Sequence, residues 1–174
     1  MALTIEEFIR STAQDDTAHD YFQLENPRML EVNLDSMVWM KAGAMVAYVG
    51  RIKFTREGIL EQGIGSLLKR TVSGEGAKLT KAEGTGRLYL ADSGKTIQIL
   101  KLSGEAIVVN GTDLRAFEPT IKYEIKMTKK LAAIVSGGLF NVRLTGSGLV
   151  AITSHFEPLT LKVEAGKPVR TDPN

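Results

Sequence analysis

The chain is 174 residues long, 43% apolar and 24% charged, which is the composition of a globular domain and excludes a disordered or fibrous chain. Its net charge of +2 is too small to argue for a nucleic-acid or membrane partner, and the lack of cysteine removes disulfides, thiolate catalysis and cysteine-bound metals. No apolar run approaches the ~18 residues of a membrane helix. The opening MALTIEEFIRSTAQDD is too acidic for a secretory signal, so a cytoplasmic protein is expected.

Thr4-Ile5-Glu6-Glu7 has the pattern of a capping box, and Ile5, Phe8 and Ile9 then fall on one helical face. The spacing predicts a short amphipathic helix over 5–13, packed on its own domain or docked on a partner. Residues 1–20 read as this helix and a polar linker, and 21–174 as one β domain. Strand alternation begins at Tyr21. Phe22 and Leu24, then Leu30, Val32 and Leu34, alternate with polar neighbours, with Asn26-Pro27 as the turn between them. Val38, Met40, Met45, Ala47 and Tyr48 follow, then a short strand at Ile52 and Phe54. Over 57–72 the apolar spacing becomes helical, but Gly63 and Gly65 interrupt it. One short internal helix is expected, with Ser66 as N-cap and Gly74 as its stop. β patterning then returns at Leu88–Leu90, Ile97–Ile99, Ile107–Val109, Leu114–Phe117, Ile121–Ile125, Leu131–Val135, Phe140–Val142, Val150–Ile152 and Leu159–Val163. Asn110-Gly111 is read as a turn taking positive φ. Such spacing, with glycine turns, predicts an all-β antiparallel sandwich or barrel.

Gly84-Thr85-Gly86-Arg87-Leu88-Tyr89-Leu90 aligns without gaps on Gly146-Ser147-Gly148-Leu149-Val150-Ala151-Ile152. The same offset pairs Ile97 with Leu159, Ile99 with Leu161 and Ile107 with Val169. Two copies of one β unit, about 84–110 and 146–172, are expected, with the glycines as the turn that opens each unit. Val38 to Tyr48 aligns on Ile107 to Phe117 as a partial third copy. The last unit has no partners for Leu114 and Phe117, and is expected to be incomplete.

Catalytic signatures are absent. His19 and His155 have no second ligand at metal spacing, and Ser147, His155 and Asp172 lack a nucleophile elbow. Gly63-Ile64-Gly65 lacks the ending of a phosphate loop, and Gly84-Thr85-Gly86 precedes a strand instead of opening a helix. No enzyme activity and no cofactor is expected. Arg70 and Glu75 flank the turn after the internal helix and read as a salt bridge fixing that helix, or as a partner contact. Lys122, Lys126, Lys129 and Lys130 form a basic run around Tyr123. It reads as a solvated strand face, or as a nucleic-acid patch with too few interleaved aromatics. Trp39, with Met37, Met40 and Met45, reads as core or, if it points outward, as a subunit interface.

Arg70, Gly74-Glu75-Gly76, the run Gly84 to Ala91 and Leu144-Thr145-Gly146-Ser147-Gly148 together resemble the bacterial relatives of the mitochondrial-biogenesis "altered inheritance of mitochondria" family. The resemblance covers Tyr21 to Asn174. Where that family has an aromatic after Gly-Glu, the nearest large apolar residue here is Leu79. The resemblance implies a β-sandwich similar to the tryptophan RNA-binding attenuation protein, without a settled activity. The expected function is a non-enzymatic protein that binds a protein partner or self-associates as a homo-oligomer. The alternative is a small-molecule or nucleic-acid binding module.

Overall fold

A computed structural model describes residues 2–14, 16, 19–56, 79–127 and 140–170. Among these residues one helix, α1 (Ile5–Thr12), is followed by nine strands: β1 (Phe22–Asn26), β2 (Met29–Leu34), β3 (Met37–Lys41), β4 (Met45–Arg56), β5 (Leu79–Leu90), β6 (Thr96–Asn110), β7 (Leu114–Phe117), β8 (Lys122–Met127) and β9 (Phe140–Ser154). The capping box forms as expected. The Glu7 amide donates to Thr4 Oγ1 at 3.2 Å and the Thr4 amide donates to Glu7 Oε2 at 2.8 Å. These contacts hold Glu7 charged, with its carboxyl below the usual range.

All strand pairs are antiparallel and belong to one sheet, ordered β1-β2-β5-β3-β7-β9-β6, with β4 on β5 and β8 on β9. The sheet curls, so that its first and last strands meet. The Ile97 amide, at the start of β6, donates to the Pro27 carbonyl in the β1–β2 turn at 2.8 Å. The long strands β5 and β9 organise everything else. β4 lies along β5 from Met45 to Arg56, and β6 lies along β9 from Thr96 to Asn110. A strand has two edges, so the remaining partners share the other one. On β5 these are β2 and β3, and on β9 they are β7 and β8.

Side-chain alternation divides the apolar residues between two cores. One gathers Leu30, Val32, Leu34, Val38, Met40, Leu88 and Leu90. The other gathers Leu79, Leu102, Leu114, Phe117, Val142, Leu144 and Val150. β3 feeds both, with Val38 and Met40 on one face and Trp39 on the other. β7 does the same. Ala116 faces the first core, Leu114 and Phe117 face the second, and all four of its residues are buried. Burying a Leu or Phe side chain contributes about 1.5–3 kcal/mol, so this four-residue strand is held by packing on both faces.

Several strands are longer than alternation suggests, because the glycines lie inside them. Gly84 and Gly86 do not open a strand; they sit in the middle of β5, opposite Ile52 and Gly50. Their φ angles are +140° and +153°, and a Cβ on Gly86 would collide with the Val49 carbonyl. The backbones of β4 and β5 approach closely there, and only glycine fits. β4 is one strand rather than two, coiled about Gly50. The rings of Tyr48 and Phe54 meet edge to face at 5.1 Å, which six residues of straight strand would forbid.

Three further expectations change. Leu159, Leu161 and Val163 alternate, but 157–163 is not strand and these side chains are exposed. Alternation supplies only the side-chain half of a strand, and no described strand offers their backbone a ladder. The turn at Asn110-Gly111 is present, but without positive φ. It is closed by the Thr112 amide donating to Asn110 Oδ1 at 3.0 Å and the Asp113 amide donating to the Asn110 carbonyl at 2.9 Å. The expected internal helix from Ser66 and the apolar run Leu131–Val135 lie outside the described residues.

Candidate functional site: an open strand and a charged junction

β4 is the most exposed part of the sheet. From Met45 to Arg51 every side chain is exposed, with Val46 at 58% and Val49 at 57%. One edge of β4 is laddered to β5, and no described strand pairs with the other. Proteins usually protect such an edge with charge, proline or a bulge. β6, the other long edge strand, has Lys101 and Glu105 beside a mid-strand bulge at Ser103/Ala106. β4 has its register shift only at Met45/Ala47, then runs regularly to Arg56, and Met45–Val49 holds no charge and no proline.

Opposite residues in a ladder share a face. Ala47, Val49, Arg51 and Lys53 therefore lie on the same face as Tyr89, Arg87, Thr85 and Glu83 of β5. Glu31 and Asn33 of β2 continue that face on the far side of β5. The chain before β1 crosses it. Asn33 Nδ2 donates to the Asp20 carbonyl at 2.8 Å, Arg87 Nη1 donates to Asp16 Oδ1 at 2.6 Å, and Tyr89 Oη donates to Gln14 Oε1 at 3.4 Å. Beyond Gln14, α1 carries an exposed apolar stripe, with Ile5 80% and Phe8 56% exposed. Glu31 lies under this crossing, 3% exposed, with Oε2 unpartnered. Burial raises its carboxyl above the usual range, against the hydrogen bond from Tyr89. Burial, then the hydrogen bond and charge of Glu31, push the Tyr89 phenol up to about 12.

A second polar feature joins three strands and two turns. Arg115 of β7 is 2% exposed; its Nη2 donates to Asp92 Oδ2 at 2.5 Å and to the Thr112 carbonyl. Lys95 Nζ lies 3.4 Å from Asp92 and 2.7 Å from Asp113. Thr153 Oγ1 of β9 donates to Asp92 Oδ2 at 3.2 Å, and Lys41 Nζ at the end of β3 donates to the Thr112 carbonyl at 2.8 Å. Burial lowers the proton affinity of Arg115, against the charges of Asp92 and Asp113. Burial, then the Arg115 charge, lowers that of Lys41. Burial also disfavours charged Lys95, but the hydrogen bond and charges of Asp113 and Asp92 outweigh it and raise Lys95 above its usual range. Three cations and two carboxylates hold the β5–β6 and β6–β7 turns against β3, β7 and β9.

An open, largely apolar groove of about 560 Å³ lies where the curled sheet meets itself, between Leu24, Pro27, Ile97, Gln98, Glu157 and Pro158. Among the described residues no three His, Asp or Glu side chains gather to hold a metal, and no helix is long and apolar enough to cross a membrane.

Of the residues singled out in the sequence, Trp39 is half-buried. Its ring stacks on Phe117 at 6.4 Å and meets Tyr123 edge-on at 5.6 Å, as part of the second core. Lys126 pairs through its backbone with Asn141, and Lys122 is exposed four residues earlier on β8. Arg70, Glu75, Lys129 and Lys130 lie outside the described residues. The junction was not singled out. Its signal was a charged residue inside the apolar run Leu114-Arg115-Ala116-Phe117, with Asp92, Lys95 and Asp113 crowding two turns.

A family model described as Mitochondrial biogenesis AIM24 matches residues 22–174. No curated protein matches the chain. Among solved structures, an X-ray crystal structure of a Streptococcus pyogenes protein is similar at 23% identity with a TM-score of 0.56, over 76% of this chain. That likeness concerns the fold alone. The match covers 62% of the Streptococcus chain, less than two thirds of its length.

Proposed function

We propose, from the premise that this chain belongs to the Mitochondrial biogenesis AIM24 family, that it is a non-enzymatic binding and assembly module working through protein–protein contacts. The observation that carries this reading is β4, a twelve-residue strand with an open edge and an uncharged, exposed first half. The partner that fits is a second copy of the chain. Antiparallel pairing about Tyr48 sets Arg51 of each copy against Met45 of the other, so no like charges are opposed. The matching arrangements of partners on β5 and β9 support a duplicated unit, and the two cores on either side of β3 and β7 support an attenuation-protein-like sandwich. We place such a homo-oligomer in the cytoplasm.

Size-exclusion chromatography with light scattering tests this on the full chain. Association that rises with concentration is expected, and Val46→Lys should abolish it. A wild-type chain that stays monomeric at every concentration overturns the reading. The groove at the seam supports a second reading, a small-molecule binding module, because its surface is largely apolar with a few polar side chains at hand. A nucleic-acid role for Lys122, Lys126, Lys129 and Lys130 would appear as RNA binding that weakens steeply with salt.

A further inference from the structure

We propose that the start of β4 takes the end of β6 from the next copy of the chain, in place of that copy's β4, so that copies join head to tail; this rests on the reading of β4 as the assembly strand. The pattern for the contact lies inside the molecule, where β3 pairs with β7. The gapless offset that carries Gly84 onto Gly146 also carries Leu88, Tyr89 and Leu90 of β5 onto Val150, Ala151 and Ile152 of β9. Opposite the first three stand Tyr48, Ala47 and Met45 of β4, and opposite the second three stand Phe117, Ala116 and Leu114 of β7. Both ladders shift register at the same step, between Met45 and Ala47 and between Leu114 and Ala116. The start of β4 is thus the counterpart of β7.

The end of β6 is likewise the counterpart of β3. Trp39 and Met40 of β3 stand opposite Lys81 and Thr80 of β5. The same offset carries these onto Arg143 and Val142 of β9, which stand opposite Val108 and Val109 of β6. Within the chain, Trp39 pairs with Phe117 and Met40 with Ala116. The counterparts, β6 and β4, each have an outer edge there that no described strand pairs. Repeating the contact between copies sets Val108 opposite Tyr48 and Val109 opposite Ala47.

The side chains agree with that register. Phe117 and Tyr123 lie 5.4 Å apart, and the Trp39 ring packs against both. Tyr48 and Phe54 form the matching pair at 5.1 Å, and Val108 of the next copy takes the position of Trp39. Val108 is 60% and Tyr48 47% exposed, whereas Phe117 is fully buried. The segment Ala106–Val109 carries no charge, as Tyr48–Gly50 carries none. Beyond it the register brings Glu105 of one copy level with Arg51 of the other, and opposite charges across a ladder stabilise it. Because the two surfaces differ, the contact is heterologous, and its repetition builds a ring or a longer array.

The chain contains no cysteine, so introduced thiols report the contact. Tyr48→Cys protein mixed with Val108→Cys protein and oxidised should give a mixed disulfide, and neither variant should cross-link alone. A covalent dimer of Tyr48→Cys alone means that β4 pairs with β4; this overturns the head-to-tail contact and leaves self-association standing. No covalent product also overturns it, and light scattering on the wild-type chain then decides self-association separately. Val108→Lys, at a side chain the folded chain leaves exposed, should weaken association about tenfold. Glu105→Arg should weaken it as well, and Arg51→Glu in the same chain should restore it. Unchanged association with Val108→Lys, or no rescue by Arg51→Glu, overturns the proposal.

Discussion

Asp92 is the pivot of the charged junction, and removing it tests whether that junction is structural. Arg115 is 2% exposed and takes its direct ion pair from Asp92 at 2.5 Å. Asp92→Ala leaves the guanidinium buried with the Thr112 carbonyl as its remaining acceptor. Lys95, at 3.4 Å, and Thr153, at 3.2 Å, lose a partner as well. Breaking a buried pair from one side costs about 3–5 kcal/mol, because the charge left behind has no compensation. Asp92 retains some contact with water, so the lower figure applies, about 3 kcal/mol. In a chain of this size that lowers Tm by about 9 °C. Denaturant unfolding followed through Trp39, the only tryptophan, measures the first quantity and calorimetry the second. The companion variant joins Asp92→Leu to Arg115→Met. It removes both charges and should recover most of the loss, since an apolar pair of similar volume can replace a buried ion pair. A loss below about 1 kcal/mol for Asp92→Ala, or a double variant no more stable than the single one, would refute this reasoning.

Three other outcomes are expected. Burial raises the carboxyl of Glu31, so the folded chain holds that proton more tightly than the unfolded chain. Its contribution is therefore full at acid pH and is lost as pH rises through the raised value. Glu31→Gln should flatten this dependence in thermal melts between pH 4 and 8 and stabilise the neutral protein by about 1 kcal/mol. In the same variant the Tyr89 phenol, otherwise ionising near pH 12, should titrate earlier by ultraviolet absorbance. Gly86→Val sets a branched side chain against the Val49 carbonyl at a φ of +153°, so β4 should separate from β5 there. Loss of amide-exchange protection in 47–52, with β6 and β9 unchanged, is the expected result. Trp39→Phe should cost about 1 kcal/mol and Trp39→Ala about 3 kcal/mol in urea unfolding, because the ring packs on Phe117 and Tyr123.

Local rules were readable where the interaction closes within a few residues. Thr4 and Glu7 are three residues apart, and their reciprocal bonds follow from that spacing. Asn26-Pro27 turns the chain between β1 and β2, with the Arg28 amide donating to Asn26 Oδ1 at 2.9 Å. Interactions that depend on distant partners were not readable. The glycines of β5 look like punctuation until β4 is seen lying against them, because a strand-interior glycine and a turn glycine are alike in sequence. Leu159, Leu161 and Val163 alternate as well as any strand in the chain, yet a strand is decided by a neighbouring ladder. Asp92, Arg115 and Thr153 are far apart in sequence, and their meeting follows from the order of strands in the curled sheet.

The curl also explains why the exposed apolar surface gathers on β4. Because β1 returns to β6 at the seam, the short strands β3 and β7 are covered on both faces. Their cost is the buried Arg115, which the acidic turns neutralise. Among the described residues β4 has no comparable cover. Its only described ladder is to β5, its far half packs Ile52 and Phe54 on the first core, and from Met45 to Arg51 it has side chains exposed on both faces. A strand placed there only to finish the sheet could carry lysine or glutamate on either face without loss of packing, as β6 does with Lys101 and Glu105. Met45-Val46-Ala47-Tyr48-Val49 instead keeps apolar side chains on both faces where folding does not require them. That surplus is what a binding partner would use, and it lies one strand away from the only described helix, whose own apolar stripe is equally exposed.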